Sequence, residues 1–236
     1  MKRLGSLLRW DATLQARHHV FTANAVSTLA LCGLVALIPP ASLTPPLASF
    51  VLFADPALIG LSFVGAVVLM ERGARVNLAL GVTPLRPWEY VASKALVLTL
   101  SGTASGVAVA ATLAARGAPV RWPLLVLALG GANLFAVLLG FVIAAFARSM
   151  NQLMMRLLAA TVVMFAPLLS HFGAAPWWLF APVPSAAMLW SLEAASGADL
   201  AWSRLALAAA LLVGWCVAVF RRAVGPAADA AFAATP

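Results

Sequence analysis

Charged side chains are scarce in this chain: they make up 9% of its 236 residues, and only seven are Asp or Glu. Water-soluble domains carry roughly 25% charged residues, so a chain that is 64% apolar with a mean hydropathy of +1.00 has too little polar surface to face water. Histidine and cysteine are rare as well, three and two residues. His18, His19 and His171 have no Cys or carboxylate at ligand spacing, which excludes a metal site. Cys32 and Cys216 both fall inside apolar runs, away from segments where an oxidising compartment would pair them. No GxxxxGK[ST] run occurs, so the chain has no phosphate-cradling loop and is not an ATPase by itself. No basic groove with interleaved aromatics accompanies the net charge of +8, which excludes nucleic acid as a partner. No catalytic, cofactor-binding or metal-binding residue is expected.

What the chain has in abundance is apolar runs of spanning length. A hydrocarbon core of about 30 Å takes roughly 20 apolar residues in a helix, and six runs qualify: 20–38, 54–71, 94–115, 122–147, 152–171 and 203–220. The fold class is therefore all-α, a polytopic membrane protein with a six-helix transmembrane domain over residues 20–222. An even number of spans puts both termini on one side. With the N-terminus inside, twelve Lys/Arg fall in inner segments and three, Arg116, Arg121 and Arg204, in outer ones. That positive-inside bias makes both termini cytoplasmic. The first apolar run begins near residue 20 and continues to spanning length, unlike a cleaved signal peptide. A bacterial-type cytoplasmic (inner) membrane is the expected location, with the basic excess facing anionic lipid.

Between the spans the local signals are specific. Residues 1–19 place Leu4, Leu7, Leu8 and Ala12 on one helical face and read as a cytoplasmic interfacial helix, with Asp11 falling inside its apolar stripe. Four prolines in residues 39–46 mark an outer turn. Asp55 followed by Pro56 reads as a helix N-cap with proline at the first position, starting the second span; a buried functional carboxylate is the competing reading. Gly102, Ser105 and Gly106 in the GTASG run allow close helix approach, and Asn133 in the fourth span suits an interhelical hydrogen bond. These four residues are assigned to helix packing or to a substrate path. Residues 172–201 hold Trp177, Trp178 and Trp190 and no Lys or Arg, which suggests a partly embedded outer cap with a short helix capped by Ser185. Residues 223–236 are low in complexity and read as a disordered cytoplasmic tail.

One stretch is conspicuously polar. Residues 71–94, ERGARVNLALGVTPLRPWEYVASK, hold four of the fifteen Lys/Arg and two of the seven acids. The stretch is too short for a domain and lies on the positive side, where a docking element is expected. Val76, Leu78, Leu80 and Val82 offer apolar anchors, and Arg72, Arg75 and Arg86 offer charge-assisted contacts to a partner or to lipid phosphate. Pro84 and Pro87 stiffen the return to the membrane. Glu71 has two candidate partners, Arg75 at i+4 and Arg17.

With Glu71-Arg72 ending the second span, a short helix over residues 74–80, the turn Thr83-Pro84-Leu85 and Lys94 opening the third span, the chain resembles the ABC type-2 exporter permeases. RWDATLQAR, residues 9–17, is similar to the leader of their fluoroquinolone or multidrug export subgroup. The resemblance implies that residues 71–94 form a coupling helix docking into separate ABC ATP-binding subunits, with Glu71, Arg72, Arg75, Val76, Leu78, Leu80, Val82, Thr83, Pro84 and Leu85 as coupling residues. It implies further that ATP and Mg act only through that partner subunit, and that a second permease half completes a homodimer or heterodimer. The small number of inward charges favours a hydrophobic or amphipathic small substrate, drug or lipid, exported from the cytoplasm or inner leaflet.

Two other readings fit six spans. One is the haem-exporter membrane subunit of cytochrome c maturation, similar in size and topology. The other is a rhomboid-like intramembrane serine protease, for which Ser105 and His171 are the nearest approach to a nucleophile and general base, although Thr103 stands where that motif has glycine.

Overall fold

Thr44 followed by Pro45 and Pro46 decides where the second membrane helix begins. The computed structural model describes residues 2–17, 19–73, 86–147 and 149–227, and in it Thr44 is the extended residue before a helix with proline in its first turn. This helix passes through Asp55 without a break. Residues Asp55–Gly60 take a π-helical form and Leu61–Gly73 return to α. Pro56 supplies the physical reason for the widened turn, because its missing N–H and its ring are incompatible with a regular i to i−4 bond. Asp55 is therefore not a helix cap. A helix starting at residue 55 would leave unpaired backbone groups within the apolar layer, and continuing upstream to Pro45 satisfies them.

Six helices are long and apolar enough to cross a membrane: Val20–Leu37, Pro45–Glu71, Trp88–Ala115, Trp122–Ala145, Met150–His171 and Trp202–Gly225. We number them spans 1 to 6. The described residues contain helices and turns and no strand, so the chain is an all-α, multi-pass membrane protein. An N-terminal helix, Lys2–Arg17, precedes span 1. His19 in left-handed conformation (φ 57°) turns the chain between the two.

Spans 2 and 4 form the centre, with 69% and 56% of their apolar windows buried, whereas spans 1, 5 and 6 bury 11%, 22% and 11% and face outward. Gly140 makes the central contact possible. A Cβ there would collide with the backbone carbonyl of Leu61 and with Val64, so only glycine lets span 4 lie directly against span 2.

Three boundaries differ from the sequence expectation. Span 3 belongs to a helix starting at Pro87, not Lys94, because proline suits the first helical position and the Arg86 backbone N–H donates to Glu89 Oε2 (3.0 Å). The short helix after span 5 runs Pro184–Ala195 with Val183, not Ser185, before its first turn. It is nearly all buried, lying against span 4, span 6 and the start of span 2. The last span runs on to Gly225, where a non-helical backbone marks a kink, so the expected tail begins later than residue 223; residues 228–236 lie outside the described residues.

Candidate functional site

The two ends of the polar stretch meet inside the protein. Span 2 delivers Glu71 and the first turns of the span 3 helix deliver Tyr90, Ser93 and Lys94, while Asp11 arrives from the N-terminal helix. All five side chains are at most 3% exposed. Lys94 Nζ donates to Asp11 Oδ1 at 3.1 Å and to Glu71 Oε1. Ser93 donates to Asp11 Oδ2, and Tyr90, the chain's single tyrosine, donates to Glu71 Oε2 at 2.7 Å. Each of the four carboxylate oxygens thus receives a donor, the condition under which burying such charges is tolerable. The ammonium also lies 4.7 Å from the Tyr90 ring centroid, and that ring packs edge-on against Phe141 of span 4.

This arrangement answers the question left open for Glu71. Its partners are Lys94 and Tyr90; Arg17 is exposed, and Arg75 lies outside the described residues. Asp11, which falls inside the apolar stripe of its helix, is one of the two carboxylates held by Lys94. A carboxylate within an otherwise apolar helix stripe is the available signal, because burying it is costly unless donors or a cation meet it. Chemically the cluster ties three elements together at the base of residues 74–85. Val76, Leu78, Leu80, Val82, Thr83, Pro84 and Leu85 lie outside the described residues, as do Arg75 and the side chain of Arg72.

A second polar array crosses the apolar layer from span 1 to span 2 by way of span 3. Asn24 Nδ2 donates to Ser101 Oγ at 3.0 Å. One turn further along both helices, Thr28 Oγ1 and Ser105 Oγ are 2.5 Å apart, and Ser105 donates to Asp55 Oδ1 at 3.0 Å. The pairing depends on one matched period, residues four apart on each helix, which places both polar residues on the facing sides. Asp55 is 2% exposed within a longer span, so the fold buries this carboxylate.

Gly102 and Gly106 face span 4. A Cβ at Gly102 would strike the Asn133 carboxamide, and one at Gly106 would lie 2.7 Å from a Leu129 methyl carbon. Asn133 does not form the expected interhelical bond among the described residues. Its Nδ2 donates to Leu129 O on its own helix at 3.0 Å, and its Oδ1 is buried without a donor against Gly60 and Gly102. Two glycines bring helix backbones, not side-chain donors, up to this carboxamide.

The structure does not bring Ser105 and His171 together. Ser105 is engaged with Thr28 and Asp55. His171 has other partners: its Nε2 lies 3.0 Å from both Ser49 Oγ and Pro46 O, and its Nδ1 is 3.5 Å from Glu193 Oε2. The protease reading fails on this geometry, because its proposed base cannot reach its proposed nucleophile.

A family model described as the fluoroquinolones export permease protein family matches residues 2–225. Two curated relatives are the fluoroquinolones export permease proteins MT2761 and Rv2687c of Mycobacterium tuberculosis, from strains CDC 1551 / Oshkosh and ATCC 25618 / H37Rv. Each is 33% identical over 174 residues, covering 73% of this chain and 72% of the relative.

Proposed function

The chain belongs to the fluoroquinolones export permease protein family, and from that premise we propose that it is the permease subunit of an ATP-driven ABC exporter in a cytoplasmic membrane. Its substrate is a hydrophobic or amphipathic small molecule, drug or lipid, with fluoroquinolones, named for its relatives, as the first compounds to try. Hydrolysis of ATP with Mg takes place in a separate subunit. The carrying observation is the buried cluster of Asp11, Glu71, Tyr90, Ser93 and Lys94, which fixes both ends of residues 74–85 to the membrane helices. A segment clamped in this way passes a push from a docked partner to spans 2 and 3 without loss in a slack linker. Both termini and this segment face the cytoplasm by the positive-inside distribution.

Spans 1, 5 and 6 leave most of their apolar surface outside the bundle, and a second permease half, identical or related, covers part of it and lipid the rest. Opening and closing between the halves gives alternating access.

Co-purification tests this function. A tagged ATP-binding subunit expressed with the chain is expected to retain it, and a variant combining Leu80→Asp with Pro84→Gly is expected to lose at least about tenfold in recovered complex, equivalent to ~1.4 kcal/mol of docking energy. Retention of the variant at the level of the parent chain refutes the docking role of residues 74–85.

A further inference from the structure

Beside the array of Asn24, Thr28, Ser101 and Ser105 runs a groove of about 700 Å³ between span 1 and span 3. Ligand sites occupy roughly 300 to 1,000 Å³ and combine apolar walls with a few convergent polar groups, and this groove has that make-up. Phe21, Leu29 and Leu100 line its sides, and the four polar residues share its lining. Leu29 and Leu100 are about 70% exposed (71% and 68%), so the groove is reached laterally from the surrounding apolar phase.

Behind Ser105 stands Asp55. Its carboxylate is buried, and no ion pair forms to it among the described residues. The Ser105 hydroxyl proton is committed to Asp55, so toward the groove this residue offers an oxygen acceptor. With the Ser105 proton given to Asp55, Thr28 is the donor in the 2.5 Å contact, so Ser105 keeps one lone pair and Thr28 adds a second acceptor beside it. Oxygen acceptors backed by a carboxylate suit an N–H cation, and a charge complement arriving through the groove offsets the cost of holding the carboxylate in an apolar layer.

We propose that the groove between spans 1 and 3 binds an amphipathic monocation, its apolar body against Phe21, Leu29 and Leu100 and its protonated amine on Ser105 and Thr28, with Asp55 as the counter-charge. The proposal rests on the exporter reading for its purpose and narrows that reading's substrate class. It does not depend on ATP or on the partner subunit for its test.

The full chain in lipid nanodiscs is titrated with rhodamine 6G, a lipophilic cation, and Nile red, an uncharged dye, and binding is read by fluorescence polarisation. Asp55→Asn is expected to weaken rhodamine 6G binding by about tenfold or more, since a charge partner in a low-dielectric site is removed, while Nile red stays within about twofold. Ala104→Trp, which fills the groove from an exposed position, is expected to abolish binding of both dyes. If Asp55→Asn does not fold, Ser105→Ala carries the same comparison, because it breaks the relay and keeps the carboxylate. Unchanged rhodamine 6G binding in the folded Asp55 or Ser105 variant, or equal loss of both dyes, overturns the proposal. Dye binding that survives Ala104→Trp while the oligomeric state changes assigns the groove to a second copy and also overturns it. Either failure leaves co-purification with the ATP-binding subunit intact, whereas failure of that assay leaves the dye result standing.

Discussion

Lys94→Met is expected to remove most of the folded protein. The substitution keeps the length and apolar character of the stem but withdraws the ammonium from Asp11 and Glu71, both at most 3% exposed. Breaking a buried ion pair by deleting one partner costs about 3–5 kcal/mol, because the remaining charge stays buried without compensation. Here two carboxylates are stranded. Replacing the whole set, Asp11→Asn with Glu71→Gln and Lys94→Met, is expected to restore most of that loss, since neutral groups of similar shape carry no uncompensated charge. Thermal melting of the detergent-solubilised protein, followed by size-exclusion fluorescence, checks both. The comparison separates charge from packing: if the single variant melts as the parent chain does, the three ionic groups are not held together as described. If the triple variant melts as low as the single one, the contribution of the cluster is shape and not charge. A folded triple variant also tests the coupling role, for it should bind the ATP-binding subunit yet export poorly, its clamp weakened.

The helical class and the six spans are legible because lipid demands long uniform runs and the chain supplies them at intervals that side-chain hydropathy alone marks. Boundaries near proline are less legible. Thr44-Pro45 and Asp55-Pro56 carry the same local signature of a helix start, and the choice between them depends on whether the intervening residues 45–54 pack into the bundle, a tertiary fact. Arg86-Pro87 with Glu89 is a third helix start, less legible because Arg86 lacks a capping side chain and only Pro87 at the first position and Glu89 two residues on announce it. The charged cluster combines positions 11, 71 and 94. Its two ends at 71 and 94 stand out in composition, but the third member belongs to a helix 60 residues earlier, and the register that brings Asp11 to Lys94 follows from packing of the N-terminal helix on span 3. Asn24 with Thr28 and Ser101 with Ser105 form two polar steps of four, each in an apolar run, a pattern not singled out from the sequence. Their mutual approach is not legible there either, because nothing local sets the relative height of two helices in a bundle.

Glycine substitutions in the bundle are expected to rank by what stands opposite, with Gly140→Ala worst, Gly102→Ala intermediate and Gly130→Ala neutral or stabilising. At Gly130 a methyl group meets nothing within 4 Å, so the change brings only the helix-propensity advantage of alanine, up to about 1 kcal/mol. At Gly102 it meets the Asn133 carboxamide, a side chain that can rotate away at the expense of its bond to Leu129 O. Gly140 offers no such escape. The atom in the way is the Leu61 carbonyl oxygen, and moving it means displacing span 2 from span 4. Overpacking against a rigid neighbour costs roughly 1–3 kcal/mol, and this site belongs at the upper end. The displacement would not remain local, since span 2 also carries Asp55 six residues before Leu61 and Glu71 ten residues after it. Gly140→Ala should therefore lower both the melting temperature and rhodamine 6G binding, while Gly102→Ala lowers the first more than the second. A Gly140→Ala protein that melts with the parent and binds dye equally would mean that spans 2 and 4 are not in backbone contact, and the central packing described here would have to be redrawn.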